Sequence, residues 1–313
     1  MWIVLIVILL AVSASGAVLL FQMACSRTGG PLGRLLPSLL HSEGNPVDLY
    51  ADVIARGKEW YAAQEKEQVW IKSRDGLRLH GVFIENPAAE RVILCVHGYH
   101  GGAVRDFSGA MADLYAENAS LLLIDQRAHG ESEGKYTTFG VLERYDVQLW
   151  AQYLEKRLSG SLPVYLDGIS MGAASVLMAG ELKMPPCVKG VIADCGYTTP
   201  RAELSHVVRN MLHASPFPAL QIVLFLARLC GFPLGSASAT KGAAAWRVPV
   251  LFAHGLDDTF VPSYMSEENF LACTSPKDIY LVEGAEHGLS YLVDREGYLT
   301  KLRSLFRAAE KGV

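Results

Sequence analysis

The residue in this chain best placed to do chemistry is Ser170, in Gly168-Ile169-Ser170-Met171-Gly172. A serine held in a sharp turn between a strand and a helix needs small neighbours two residues away on either side. That turn lifts its hydroxyl clear of the sheet and aims a helix N-terminus at an oxyanion. The same five residues could also be the glycine-bearing turn of a plain βα unit. A hydroxyl is a poor nucleophile at neutral pH and needs an adjacent base. Imidazole titrates near neutrality, and the chain has nine histidines to choose from. His287, in Glu283-Gly284-Ala285-Glu286-His287-Gly288, has glycines on both sides that suit an exposed, turned backbone. In isolation it would also pass for a solvated loop histidine. A carboxylate must then orient the imidazole. The segment His254-Gly255-Leu256-Asp257-Asp258-Thr259-Phe260-Val261-Pro262 offers two adjacent ones. Side-chain chemistry leaves Asp257 and Asp258 both open: one would accept from the ring and the other would cap the following turn. Backbone N–H donors for an oxyanion are expected from Tyr99, in His97-Gly98-Tyr99-His100-Gly101-Gly102, and from Met171. His97 reads as loop support, because one base suffices.

These groups are positioned by a regular alternation of elements. VWIKS (69–73) and LRLHGVFIE (77–85) are β-rich and are split by Asp75-Gly76, a hairpin signal. RVILCVHG, SLLLID, PVYLDG, VKGVIADCG, VPVLFAHG and DIYLVEG are short apolar runs, as expected for strands buried on both faces of a parallel sheet. Helix-period stretches lie between them, at about 104–118, 139–158, 171–183, 262–274 and 289–309. The pattern predicts an α/β fold with a mostly parallel central sheet flanked by helices and an antiparallel hairpin at its start. In such a fold with this elbow the acid precedes the histidine and follows the serine. Residues 198–245 break the rhythm. Two apolar helical stretches, 200–213 and 217–230, follow each other without a strand, which suggests a cap inserted at the strand ends.

Read together, these blocks resemble the α/β-hydrolase superfamily, and within it bacterial hydrolases of the esterase and serine aminopeptidase-like lipase type. HGYHGG resembles the HGxxG oxyanion block, and Asp125-Gln126-Arg127-Ala128-His129-Gly130-Glu131-Ser132 resembles D-x-R-x-x-G-x-S. GISMG resembles the nucleophile elbow, and HGLDDTFVP resembles H-G-x-x-D-x-x-V-P, whose aspartate falls on Asp258. EGAEHGLSY resembles G-x-x-H-G, whose histidine falls on His287. The resemblance spans about residues 67–310. It implies a catalytic triad of Ser170, Asp258 and His287, with an oxyanion hole from the Tyr99 and Met171 amides and no metal or organic cofactor. It also implies a small-molecule acyl ester as substrate. Asp125, Arg127 and Ser132 are expected to be structural. The cap selects substrates in that family, so the apolar cluster around Phe217–Leu226 is expected to serve as core, acyl pocket or membrane contact. Peptidase, amidase or thioesterase activity would use the same triad, and a non-catalytic ligand-binding protein could share the fold.

Composition bounds the rest. Half of the 313 residues are hydrophobic and 19% are charged, enough for one large globular domain. The net charge of −4 and the lack of a basic run argue against a nucleic-acid partner. The six cysteines form no CxxC pair or zinc-ligand spacing. From Trp2 to Cys25 no side chain is charged, and about 20 such residues span a bilayer as a helix. The expected organisation is therefore a single-pass membrane anchor (1–26), a linker and helix (27–66), and the hydrolase domain (67–313). Arg27 and Arg34 after the span place that domain on the cytoplasmic side by the positive-inside rule.

Overall fold

A computed structural model describes residues 15–30 and 46–311. Residues 15–25 form helix α1, and Ala51–Ala63 form α2 after a 3₁₀ turn over Pro46–Tyr50. Strands β1 (Glu67–Lys72), β2 (Arg78–Ile84) and β3 (Arg91–Val96) follow. Helices α3 (Ala103–Phe107) and α4 (Met111–Ala116) lead to β4 (Ala119–Ile124), α5 (Glu143–Leu158) and β5 (Val164–Ile169). Next come α6 (Met171–Met178), β6 (Val188–Asp194) and the inserted α7 (Pro200–His206), α8 (Ala219–Leu229) and α9 (Ala239–Ala245). The chain closes with β7 (Val250–Gly255), α10 (Tyr264–Ala272), β8 (Lys277–Val282), α11 (Ser290–Val293) and α12 (Arg295–Glu310).

The eight strands form one sheet in the order β1-β2-β4-β3-β5-β6-β7-β8. β2 pairs antiparallel with both β1 and β4, and β3 to β8 run parallel. This is the architecture expected from the alternation of apolar runs. The central strands β3, β4 and β7 are buried at every position, because helices cover both faces. One face packs against α1, α5, α6, the inserted helices and α10. The other packs against α3, α4, α11 and α12, with Trp60 and Tyr61 of α2 at its margin. The expected helix at 104–118 is divided into α3 and α4. Within the insertion, the α9 helix was not anticipated.

The N-terminal segment requires a correction. No helix among the described residues is long and apolar enough to cross a membrane. The expected span was 2–25, of which residues 2–14 lie outside the described residues. The remainder packs against the domain. Ala17, Phe21, Ala24 and Cys25 recur at helical spacing and are buried in the main core. Phe21 stacks on Phe232 at 6.2 Å between ring centroids. The Cys25 carbonyl accepts from the Thr137 N–H at 2.7 Å, and Arg27 donates to the Ser132 and Gly130 carbonyls. The membrane anchor, and the single-pass localisation that rested on it, are accordingly set aside. An uncharged run of this length can equally be one buried face of a core helix.

Candidate active site

The elbow forms where β5 ends and α6 begins. Ser170 has φ +57° and ψ −116°, a backbone that L-residues seldom adopt, and its N–H donates to the Asp194 carbonyl at 2.8 Å. The flanking glycines are needed for space. A Cβ on Gly172 would lie 1.9 Å from the Val96 carbonyl oxygen, and one on Gly168 would lie 2.4 Å from the Gly172 carbonyl oxygen. Only hydrogen at these positions lets α6 start directly against β3 and β5.

Three loops from three strand ends meet here. The Ser170 hydroxyl lies 2.9 Å from His287 Nε2, and His287 Nδ1 lies 2.7 Å from Asp258 Oδ2. A carboxylate only accepts, so His287 Nδ1 carries the proton and Nε2 presents its lone pair to the serine. The adjacent Asp257 is exposed, and its N–H donates to the Ala285 carbonyl. Asp258 is buried and accepts from two further backbone amides, those of Phe260 and Val261, at 2.9 and 2.8 Å. Burial alone would raise its pKa. The hydrogen bonds from His254 and His287 outweigh that and lower it to about 2.

His254 is a site neighbour that sequence reasoning passed over. Its Nε2 lies 3.1 Å from Asp258 Oδ2 and 2.8 Å from the Val261 carbonyl, both acceptors, so Nε2 carries its proton. Nδ1 then accepts from Ser266 Oγ at 2.7 Å. The carboxylate is thereby held from both sides by imidazole donors. The signal was present in the sequence, as the histidine that opens the HGLDD block.

Around the serine the amides divide into used and unused. Gly98 N–H donates to Asp106 Oδ2 at 2.8 Å, and His100 N–H donates to His129 Nε2 at 3.0 Å. Between them, the Tyr99 N–H has no acceptor among the described residues, and neither has the Met171 N–H at the start of α6. The Tyr99 side chain is anchored elsewhere. Its hydroxyl donates to the Met23 and Ala24 carbonyls of α1 at 3.1 and 2.9 Å, and its ring stacks on Phe139. His97 is fully buried and accepts at Nε2 from the Gln126 N–H at 3.0 Å. Burial lowers its pKa and keeps it neutral, as suits a loop support. Arg127 forms a buried pair with Asp146 at 2.6 Å and reaches Asp75. Asp125 meets His80 at 2.8 Å, and Ser132 Oγ donates to the Asp125 carbonyl.

Ser170 opens into a cavity of about 590 Å³, within the range of small-molecule sites. Its walls differ from expectation. None of its lining residues comes from the insertion at 198–245. Ile54 and Lys58 of α2 line it, together with Phe107 and Leu114 of α3 and α4 and Leu292 of α11. The insertion instead covers the opposite sheet face, where Leu220, Val223 and Ala227 of α8 are buried in core. Helix α2 reaches its place because Gly57 touches the Ser108 backbone, where a Cβ would lie 1.6 Å from the carbonyl oxygen.

Two buried acids also line this cavity, Asp167 of β5 and Asp194 of β6. Burial pushes Asp167 up to about 8, with the nearby Asp194 charge adding to the effect. Burial likewise raises Asp194. Their signal in the sequence was an acid inside an otherwise apolar strand run, in PVYLDG and in VKGVIADCG. Among the described residues, Cys195, Asp258 and His287 bring potential metal-ligand atoms within 4.8 Å of one another. Burial holds the Cys195 thiol well above its ordinary pKa, which disfavours the thiolate a metal requires.

With this geometry in hand, comparison with known proteins is informative. Residues 87–230, just under half of the chain, match the family described as serine aminopeptidase, S33 (Hydrolase_4). The chain is 26% identical over 243 residues to uncharacterized protein YqkD of Bacillus subtilis, covering 77% of this chain and 79% of that one. It is 27% identical over 242 residues to uncharacterized protein YfhR of Salmonella typhimurium, covering 71% and 75%. Among solved structures it superposes on the Pyrococcus furiosus esterase Pf2001 with a TM-score of 0.64 at 19% identity, covering 79% of this chain and 92% of that one. Acetyl xylan esterase 1 from Thermoanaerobacterium superposes with a TM-score of 0.57 at 15% identity, covering 83% and 93%. The chain has the α/β-hydrolase fold.

Proposed function

We propose that this protein is a serine hydrolase that cleaves a carboxylic ester through an acyl-enzyme. Ser170 is the nucleophile, His287 the general base, and Asp258 the group that fixes the imidazole tautomer and stabilises the imidazolium. The observation that carries the reading is the unbroken relay from Ser170 Oγ through His287 to Asp258, at 2.9 and 2.7 Å. Ser170 Oγ attacks the ester carbonyl carbon while His287 Nε2 takes its proton. The Tyr99 and Met171 amides hold the resulting oxyanion. As the tetrahedral centre collapses, the C–O bond to the alcohol breaks and His287 returns the proton to the departing oxygen. Water then attacks the acyl-enzyme with His287 again as base. The carboxylic acid leaves and the Ser170 hydroxyl is restored.

Esterase structures of the same fold support an ester over other acyl substrates. The match of residues 87–230 to a serine aminopeptidase family favours a second reading, cleavage of a peptide amide by the same relay. A non-catalytic binding role would leave the relay without a purpose. The test is labelling by a fluorophosphonate probe in the wild type and in Ser170→Ala, followed by turnover of p-nitrophenyl esters of two-, eight- and sixteen-carbon acids beside thioesters and aminoacyl amides. Labelling that disappears in the variant, with ester turnover in the wild type, is the expected result. A folded wild type that takes no label would overturn the assignment, and amide turnover in preference to ester would move the substrate class.

A further inference from the structure

The Ser170 cavity also reaches two carboxyls that ester hydrolysis does not use. Asp167 and Asp194 lie on adjacent parallel strands, in the register that pairs Asp167 with Ile192 and Ile169 with Asp194. They therefore share the sheet face that carries α3, α4, α11 and α12. Asp194 is satisfied. Its Oδ1 accepts from Ser290 Oγ at 3.0 Å, and the Tyr298 hydroxyl interacts with the same carboxyl. Asp167 is different. It is 3% exposed, and its Oδ1 has no hydrogen-bond partner among the described residues.

An orphan oxygen at that depth carries a desolvation cost with nothing among the described residues to offset it. Packing does not require it, since the neighbouring positions on the same sheet face are Cys95 and Ile192. The cavity that it lines also presents Phe107, Leu114 and Ile169, with Lys58 and Arg105 among its other lining residues. Burial, with the nearby Asp194 carboxyl adding to it, pushes Asp167 up to about 8, so it holds its proton at neutral pH. A neutral carboxyl offers one O–H donor and an acceptor oxygen.

We propose that Asp167 is a recognition group in the wall of the Ser170 cavity, and that the substrate's acyl chain ends against it in an uncharged hydrogen-bonding group, a hydroxyl in the simplest case. The proposal rests on the ester-hydrolase reading above and names its substrate class. A hydroxyl both donates and accepts, so it completes a neutral carboxyl. A plain alkyl end leaves the carboxyl without a ligand partner. A terminal carboxylate would be buried beside two carboxyls, and a terminal ammonium would have to be stripped of water together with an ionised Asp167. Positions 167 and 170 are three residue steps apart, about 10 Å at the rise of a strand, which a medium-length acyl chain spans.

The experiment compares p-nitrophenyl esters of matched length ending in methyl, hydroxyl or ammonium, at four, six and eight carbons. It uses the full chain and the variants Asp167→Leu, Asp167→Val and Asp167→Asn. At one length the wild type should favour the hydroxyl-ended ester over the methyl-ended one by about tenfold or more in kcat/KM. Leu or Val should invert that order, and Asn, which still donates and accepts, should keep its direction. Equal or better turnover of methyl-ended esters at every length would overturn the proposal, as would a preference for the ammonium end. So would an unchanged hydroxyl preference in folded Leu or Val variants. Fluorophosphonate labelling of the same wild-type preparation separates the two readings: with labelling intact, loss of selectivity removes only the role of Asp167.

Discussion

Asp258 and Asp167 are both buried aspartates close to the same serine, and they hold opposite charge states. The Asp258 loop surrounds its carboxylate with two imidazoles and two backbone amides, and against the upward push of burial the hydrogen bonds from His254 and His287 bring its pKa down to about 2. Burial in strand β5 and the neighbouring Asp194 carboxyl raise Asp167 to about 8. Burial is common to both and pushes both upward. What separates them is the number of donors aimed at the oxygens, because each donor stabilises the ionised form directly. In the proposed mechanism the region of dense donors supports proton transfer and the region without them recognises a ligand.

The largest effect expected is at Asp258. Asn there keeps the shape but presents an N–H or a weaker acceptor to His287 Nδ1, which disrupts the tautomer the serine needs. The expected fall in kcat is about 10⁴-fold with little change in KM, read from steady-state ester hydrolysis. A loss under tenfold would mean that Asp258 does not act as the orienting acid.

The same exchange at Asp167 should show itself in the pH dependence of stability. An unfolded aspartate titrates at ~3.9, whereas burial raises folded Asp167 to about 8. Between those values the folded chain holds a proton that the unfolded chain has released. The contribution of this carboxyl is therefore fully present below about pH 4 and declines as pH rises toward 8, by up to about 1.4 kcal/mol per pH unit. Asp167→Asn removes that decline. Urea unfolding should show the variant gaining on the wild type from pH 5 to pH 8, and parallel curves would break the contrast. Asp258 has the opposite sign. Its contribution is present above about pH 4 and is lost as pH falls through about 2.

The smallest effect concerns the oxyanion loop. Tyr99→Phe removes the hydroxyl that ties this loop to the α1 carbonyls of Met23 and Ala24 while keeping the stack on Phe139. Deleting an oxyanion donor outright costs about 10²–10³-fold. Loosening the mount of one should cost less, a few-fold in kcat with KM unchanged, and an equal rise in KM would point to a binding defect instead.

Much of this was legible in the chain. The apolar runs announced strands covered on both faces, and the glycines around Ser170 announced a close approach that a Cβ would block. The acids in PVYLDG and VKGVIADCG were visible but were read as parts of strands, because hydropathy averages over a run and hides a single charged position. The uncharged stretch before residue 26 misled for a related reason. Composition reports that side chains avoid water without saying whether lipid or protein replaces it, and Phe21 and Cys25 are seen to pack against this chain's own core.

The division between the two sources is therefore physical. Local sequence by itself determined what depends on near neighbours: the strand and helix periods, the turn at the elbow, and the order Ser170, Asp258, His287. Only the tertiary structure decided what depends on residues far apart in the chain. It made α2, rather than the insertion, a wall of the cavity. It also left Asp167 Oδ1 without a hydrogen-bond partner among the described residues, since hydrogen-bond donors and dielectric surroundings are assembled by packing and are not encoded at any single position.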